Sequence, residues 1–316
     1  MTDRGYKGLL VIGDPHVESR VPGFRKDSYP QVILNKLRWC MNYARDNALL
    51  PALLGDLFHL PRDNPNWILG DLIDLFSVPV IGIYGNHDCR ENAMDENDSI
   101  SVLARANRVK LLCEGEIWQG RMAGRDVIVG GTPWGKFLPD RFDGADDGSA
   151  SKPLVFWLAH HDVMVPGYEE QGRFKPREIP GVDVVINGHI HRRLEEVAVG
   201  NTLWLTPGNI SRRNRGDATR DHVPAVLQID VTVSGWQRRM VEVPHEPFDA
   251  VFYEQVVKVA ELAAGSAFVA GLAELQARRT ETGAGLMAFL ENNLPQFEKA
   301  VADEILQLAR EVTGNG

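Results

Sequence analysis

The chain of 316 residues is short of cysteine, with only Cys40, Cys89 and Cys113. So few and so widely spaced, they cannot build a disulfide framework or a four-cysteine zinc site, and they fit a reducing compartment. Long apolar runs are also missing. None reaches the roughly 20 residues that span a bilayer, and no apolar segment ahead of Gly13 has the form of a signal peptide. A cytoplasmic protein without a membrane partner is therefore expected. Basic residues are in deficit, 34 against 43 acidic ones, for a net charge of −9. That argues against a chain that is basic throughout and binds nucleic acid by bulk charge. The deficit is uneven, however. From Glu246 onward there are 11 acidic and 5 basic residues, leaving 32 and 29 before it. The first part is thus near neutral, and its bases are free to cluster.

What the chain does have is an alternation of short apolar runs and amphipathic segments. Runs at 9–12, 52–54 and 78–84 read as buried strands. Between the first two, Pro30 stands at a position tolerated in a first helical turn, and Ile33, Leu37, Cys40, Ala44 and Ala48 recur at helical spacing. Residues 67–76 predict a second helix. Strand, helix, strand, helix, strand is the pattern of a parallel sheet flanked by helices. A short helix from Ser99, then strands at 109–112, 126–130, 154–159, 182–186 and 202–205, continue it. The stretch 134–152 reads as loop. Segments 225–233 and 236–243, around Ser234-Gly235, predict a hairpin in a sheet covered on both faces. Residues 1–244 are expected to form one α/β catalytic domain. Residues 245–316, rich in Ala, Glu and Leu, predict a helical cap or association segment, with its apolar stripe at Phe297, Val301, Ile305, Leu308 and Val312.

Seven of the nine histidines fall in five short stretches, each closing an apolar run. These are Gly13-Asp14-Pro15-His16, Gly55-Asp56-Leu57-Phe58-His59, Gly85-Asn86-His87-Asp88, Ala159-His160-His161-Asp162 and Gly188-His189-Ile190-His191. In an open α/β sheet, ligands bind beyond the carboxyl ends of strands, so these stretches can converge. Imidazole, carboxylate and amide oxygen without thiolate suit divalent ions of intermediate softness. Two such ions roughly 3.5–4 Å apart need a shared anionic ligand. Asp56, the one carboxylate in its stretch, suits that place. Asp14, His16 and His191 can complete one shell, and Asn86, His160 and His189 the other. His160 is preferred to His161 because it directly follows the apolar run. His87 has no evident coordination slot and stands where a general acid would protonate a leaving oxygen. Asp88 and Asp162 are expected to orient neighbouring imidazoles. His222 and His245 lie outside every motif and are expected at the surface.

Asp-x-His, Gly-Asp-x-x-His, Gly-Asn-His-Asp, His and Gly-His-x-His, in this order over residues 9–209, resemble the calcineurin-like metallophosphoesterase superfamily. The resemblance implies a β-sandwich flanked by helices (αββα), with Asp14, His16, Asp56, Asn86, His160, His189 and His191 as ligands of two ions and His87 as catalytic histidine. The Leu57-Phe58-His59 ending looks like the SbcD-type DNA repair nucleases, which work with an SMC-like ATPase. His59 is there an active-site neighbour.

Arginines adjoin these motifs. Arg192 and Arg193 follow His191, and Arg212, Arg213 and Arg215 follow another strand-end loop. Beside a phosphodiester site they could hold flanking phosphates of DNA. The expectation is a hydrolase that uses two divalent ions, Mn²⁺ ahead of Zn²⁺, Fe or Mg²⁺, to activate a water for attack on a DNA phosphorus, as an exonuclease or endonuclease. The alternatives are a phosphodiesterase or phosphatase for small substrates such as cyclic nucleotides, or a nuclease subunit active only with a partner ATPase. A homodimer is a further possibility of the C-terminal segment.

Overall fold

A computed structural model of the chain describes residues 5–144, 152–213, 215 and 220–253, with Leu294, Lys299, Asp303, Ile305 and Leu306. Residues Met1–Tyr253 form one compact unit and Glu254–Gly316 a second. The segment 245–253 thus lies with the first unit, beyond the boundary the composition places at Pro244. Apart from Ile305, the stripe expected at Phe297, Val301, Leu308 and Val312 lies outside the described residues.

The first sheet opens with β1 (Gly8–Ile12), β2 (Leu49–Leu53), β3 (Val80–Gly82) and β4 (Val109–Leu111), which run parallel. The second contains β5 (Trp118–Met122), β6 (Arg125–Thr132), β7 (Leu154–Ala159), β8 (Val184–Asn187), β9 (Val197–Val199) and β10 (Thr202–Leu205). Then β11 (Ala225–Thr232) and β12 (Gly235–Glu242) form a hairpin that adds antiparallel to β1. The strand orders are β12-β11-β1-β2-β3-β4 and β5-β6-β7-β8-β10-β9. Thr232 pairs with Gly235, so the two-residue turn is Val233-Ser234. The hairpin is not covered on both faces as expected, because β12 is an edge strand with exposed residues along it.

The alternation of side chains gives each sheet two apolar faces. Leu9, Val11, Leu50, Ala52, Ile81 and Ile83 turn toward Val127, Val129, Leu154, Phe156, Leu158, Val184 and Ile186 of the second sheet. Each of these side chains larger than alanine contributes about 1.5–3 kcal/mol by leaving water. Leu10, Ile12, Leu49, Leu53 and Val80 turn the other way, onto helices α1 (Tyr29–Asp46), α2 (Asn66–Leu75) and α3 (Ser99–Arg105). Pro30 occupies the first turn of α1, and Ile33, Leu37, Cys40 and Ala44 form its buried stripe. Ala48 falls beyond the helix. The outer face of the second sheet packs under loops, through Val163, Val165, Ile179 and Ile190. A further short helix, α4 (Phe248–Val251), closes a small cluster with Phe252. All three cysteines are free thiols. Among the described residues, no helix is long and apolar enough to cross a membrane.

Candidate metal centre

The five histidine-bearing stretches leave the sheets at the ends of β1, β2, β3, β7 and β8, and their side chains meet. Of three donor groups among the described residues, two carry the carboxylates, Asp14 with His16, Asp56 and His191, and Asp56 with His160 and His189; the third is His16 with His59 and His87. Asp56 belongs to the first two. Its Oδ2 lies 3.7 Å from His16 Nε2 and 3.4 Å from His160 Nε2. Its Oδ1 accepts the His87 amide at 2.8 Å. In the first group, His16 Nε2 and His191 Nε2 are 3.0 Å apart. In the second, Asn86 Oδ1 lies 3.1 Å from His160 Nε2 and 3.0 Å from His189 Nδ1.

Neighbouring groups fix which ring nitrogen faces the centre. His160 Nδ1 donates to the Leu54 carbonyl at 2.7 Å, so Nε2 is its free donor atom. His189 turns Nε2 to Asp162 Oδ1 at 2.8 Å and Nδ1 inward. Such outer partners set tautomer and basicity. His161 is absent from all three groups and packs against Phe174. Asp88 does not orient an imidazole as expected. Its carboxylate accepts the amides of Leu57, Phe58 and Gly85 at 3.2, 2.9 and 3.0 Å, tying two of the loops together.

The backbone here is strained. Asp14, His16, Asp56 and His189 have φ of 40, 49, 47 and 68°, which non-glycine residues adopt at a cost and which clusters at functional sites. Two glycines are required by closeness. A Cβ at Gly55 (φ 100°) would stand 2.6 Å from His160 Nδ1, and one at Gly85 would overlap Asp56 Oδ1.

Charge inside the cluster is unbalanced. Burial pushes the Asp14 carboxyl up to about 7, against the pull of His160 and with the push of Asp56. Burial would also raise Asp56, yet His160 and then His16 hold it well below the usual carboxylate range. His160, which burial alone would lower, is raised to about 9, first by Asp56. Burial keeps His16 far below the ordinary histidine value and takes His191 down to about 4. Asp14 Oδ2 and His16 Nδ1 are buried with no hydrogen-bond partner. Two buried carboxyl groups, imidazoles turned inward and an amide oxygen are a donor set that divalent cations complete by displacing its protons.

His87 and His59 flank this set. Their rings stack at 5.0 Å and 27°, and His87 Nδ1 donates to the His59 carbonyl at 2.8 Å. The His87 ring lies 4.8 Å from that of His16. His59 Nδ1 is buried without a partner, and burial, followed by the charge of Arg213, takes this imidazole to about 3. One wall of the centre falls in the stretch expected to be plain loop. It is Trp134, stacked on His189 at 5.0 Å and 30°. Its place just beyond β6, at another strand end, was the available signal.

The arginines divide. Arg192 and Arg193 are exposed, and Arg192 donates to the Gly167 carbonyl at 3.1 Å. Arg212 is buried and donates to the carbonyls of Glu246 and His222 at 3.0 and 2.7 Å, so it serves the fold and not a solvent-facing rim. Arg213 is paired with buried Glu18 at 2.7 Å. Arg215 donates to the Tyr253 carbonyl at 2.8 Å and lies over Phe24. His222 and His245 are half-buried, contrary to the surface expectation, because their rings bond the carbonyls of Asn209 and Val243 at 3.0 and 2.8 Å.

Among solved structures, the chain is similar to the Thermus thermophilus sulfate thiohydrolase SoxB in complex with glycerol. Identity is 12%, with 74% of this chain and 56% of that one covered and a TM-score of 0.42. It is also similar to a hypothetical protein from Thermus thermophilus, at 13% identity over 75% and 99% of the two chains, with a TM-score of 0.42. For the Haemophilus influenzae NAD nucleotidase NadN the values are 12%, 74%, 55% and 0.40. The chain thus spans just over half the length of the thiohydrolase and the nucleotidase. No curated protein matches it. The family model for calcineurin-like phosphoesterases matches residues 8–193, which carry all seven ligand candidates and His87. With that match over more than half its length, the chain belongs to the calcineurin-like phosphoesterase family.

Proposed function

We propose that the protein is a two-metal phosphodiesterase that cleaves DNA. The observation that carries the two-ion reading is Asp56, whose carboxylate lies within 3.7 Å of His16 Nε2 and 3.4 Å of His160 Nε2 and so belongs to both carboxylate-bearing donor groups. Asp14, His16, Asp56 and His191 would hold one ion, and Asp56, Asn86, His160 and His189 the other. When bound, the two ions supply the positive charge that activates a water and offsets the charge of the phosphate oxygens. Mn²⁺ is the activator we expect from this donor set and the family resemblance.

His87 is the general acid. Its Nδ1–H donates to the His59 carbonyl, which leaves Nε2 to hand a proton to the departing oxygen. The His59 ring stacked on it fixes that orientation. Exposed Arg192 and Arg193, directly after His191, would hold flanking phosphates. DNA as substrate rests on these arginines and on the Leu57-Phe58-His59 ending that resembles the SbcD-type nucleases. An SMC-like ATPase as partner, and self-association through the C-terminal segment, follow from that resemblance and from the apolar stripe. The second reading is a phosphodiesterase for small substrates such as cyclic nucleotides. It is favoured by Arg212, whose two terminal nitrogens donate to carbonyls within the fold, and by Arg213, paired with Glu18.

The test is hydrolysis by the Mn²⁺-loaded protein of single- and double-stranded DNA, cyclic nucleotides and an aryl phosphodiester. For a polynucleotide enzyme, affinity falls steeply with salt. Replacing Arg192 and Arg193 by alanine lowers the slope of log affinity against log salt by roughly 0.7–0.9 for each phosphate no longer held. Turnover of cyclic nucleotides with no DNA cleavage would establish the second reading.

A further inference from the structure

The stretch 134–139 after β6 begins at the centre and is anchored at both ends. At its start, Trp134 lies face to face with His189 and edge-on to His160, with ring centroids 5.0 and 6.3 Å apart. The indole Nε1 donates to Asn92 Oδ1 at 2.7 Å, and the Trp134 amide to the Tyr84 carbonyl at 3.1 Å. At its far end, Arg177 donates to the carbonyls of Leu138 and Pro139 at 3.1 and 3.0 Å. Between these anchors stands Phe137, 90% exposed and the barest large hydrophobic side chain among the described residues. Lys136, beside it, is exposed as well.

A phenyl ring held in water on a loop fixed at both ends gives up the 1.5–3 kcal/mol, roughly, that burial would contribute. Fixing the loop also removes the entropy that ordering it on a ligand would cost. Phe137 stands three positions after Trp134, so its Cα lies at most roughly 11 Å from the Cα of the residue stacked on His189. On a strand rising about 3.4 Å per nucleotide, that is the reach of a base one to three nucleotides from the reacting phosphate.

We propose that Phe137 is a stacking platform for a nucleobase of the substrate, with Lys136 facing the phosphate of the same nucleotide. The proposal rests on the phosphodiesterase reading above and adds the part of the substrate that is recognised away from the ions. Stacking on an aromatic face tolerates any base, so the loop would grip a nucleotide chain without reading its sequence.

The test compares a short thymidine oligonucleotide with its abasic counterpart on the Mn²⁺-loaded full chain. In the wild type the base-bearing oligonucleotide has the lower KM. Phe137→Ala should remove that preference, raising KM for the base-bearing substrate alone by roughly 5- to 150-fold, and Phe137→Tyr should restore it. A second readout needs no turnover: in metal-free Phe137→Trp, the oligonucleotide should quench the added indole emission, and its abasic form should not. Unchanged KM values in Phe137→Ala would overturn the platform. If the wild type cleaves neither oligonucleotide, the DNA-cleaving reading fails by itself, and the platform stands or falls on the quenching alone.

Discussion

At the scale of single residues, the centre is a set of groups that disturb one another. Asp14 is driven up to about 7 by burial, and His160 up to about 9 mainly through Asp56. In the metal-free protein both therefore hold protons near neutral pH that a cation must displace. Metal uptake should release protons at pH 7, and apparent affinity should fall as pH drops. Calorimetry in buffers of different ionisation heat reads this directly, and buffer-independent heats would refute it. His87 differs from the ligand candidates in standing outside both donor groups that contain Asp56, with its Nδ1 donating to the His59 carbonyl. His87→Ala should keep both ions and lose roughly 10²–10⁴-fold in rate on substrates with alkoxide leaving groups. An activated aryl leaving group needs no proton and should be spared. Equal losses on the two substrates would exclude His87 as the acid.

At the scale of elements, the long apolar runs and the spacing on α1 were legible because core burial imposes them. The edge strands of the second sheet were not. β5 alternates exposed and buried positions around Gly120, and β9 is three half-exposed or exposed residues, so neither leaves an apolar run to find. The ligand candidates were legible because metal-binding donors must sit at strand ends. Asp88 was misread because its partners are backbone amides, which leave no trace in the side-chain pattern. Arg212 was misread for a similar reason, since its carbonyl partners on Glu246 and His222 are distant in sequence. The anchoring of that loop to α1 makes a stability prediction. Lys36 is buried, donates to the Ile210 carbonyl at 2.8 Å, and is brought down to about 7 by burial and then by Arg212 and Arg25. Between about 7 and the ordinary lysine value, the unfolded chain holds a proton that the folded chain lacks. Stability from this group thus rises with pH across that window, by at most about 1.4 kcal/mol per unit, and is flat at its least favourable below it. Urea midpoints from pH 7 to 10 should rise less in Lys36→Met than in the wild type, and identical slopes would contradict a Lys36 that gives up its proton on burial.

At the scale of the whole molecule, the residues before Glu246 are nearly balanced in charge, while the net acidity lies mostly beyond. A pair of exposed arginines beside His191 can therefore set the local field even though the chain as a whole is acidic. The first unit joins two sheets whose facing strand ends bring Asp14, His16 and Asp56 from one and His160, His189 and His191 from the other into a single cluster. Everything proposed about catalysis depends on that cluster holding two ions through one shared carboxylate. The most direct measurement is the metal content of wild-type protein and of Asp56→Ala after loading with Mn²⁺ and removal of free ion. Two ions per chain in the wild type, falling to one or none in Asp56→Ala with the fold intact by circular dichroism, is the expected result. Two ions retained at full occupancy in Asp56→Ala, or a single ion in the wild type, would contradict it.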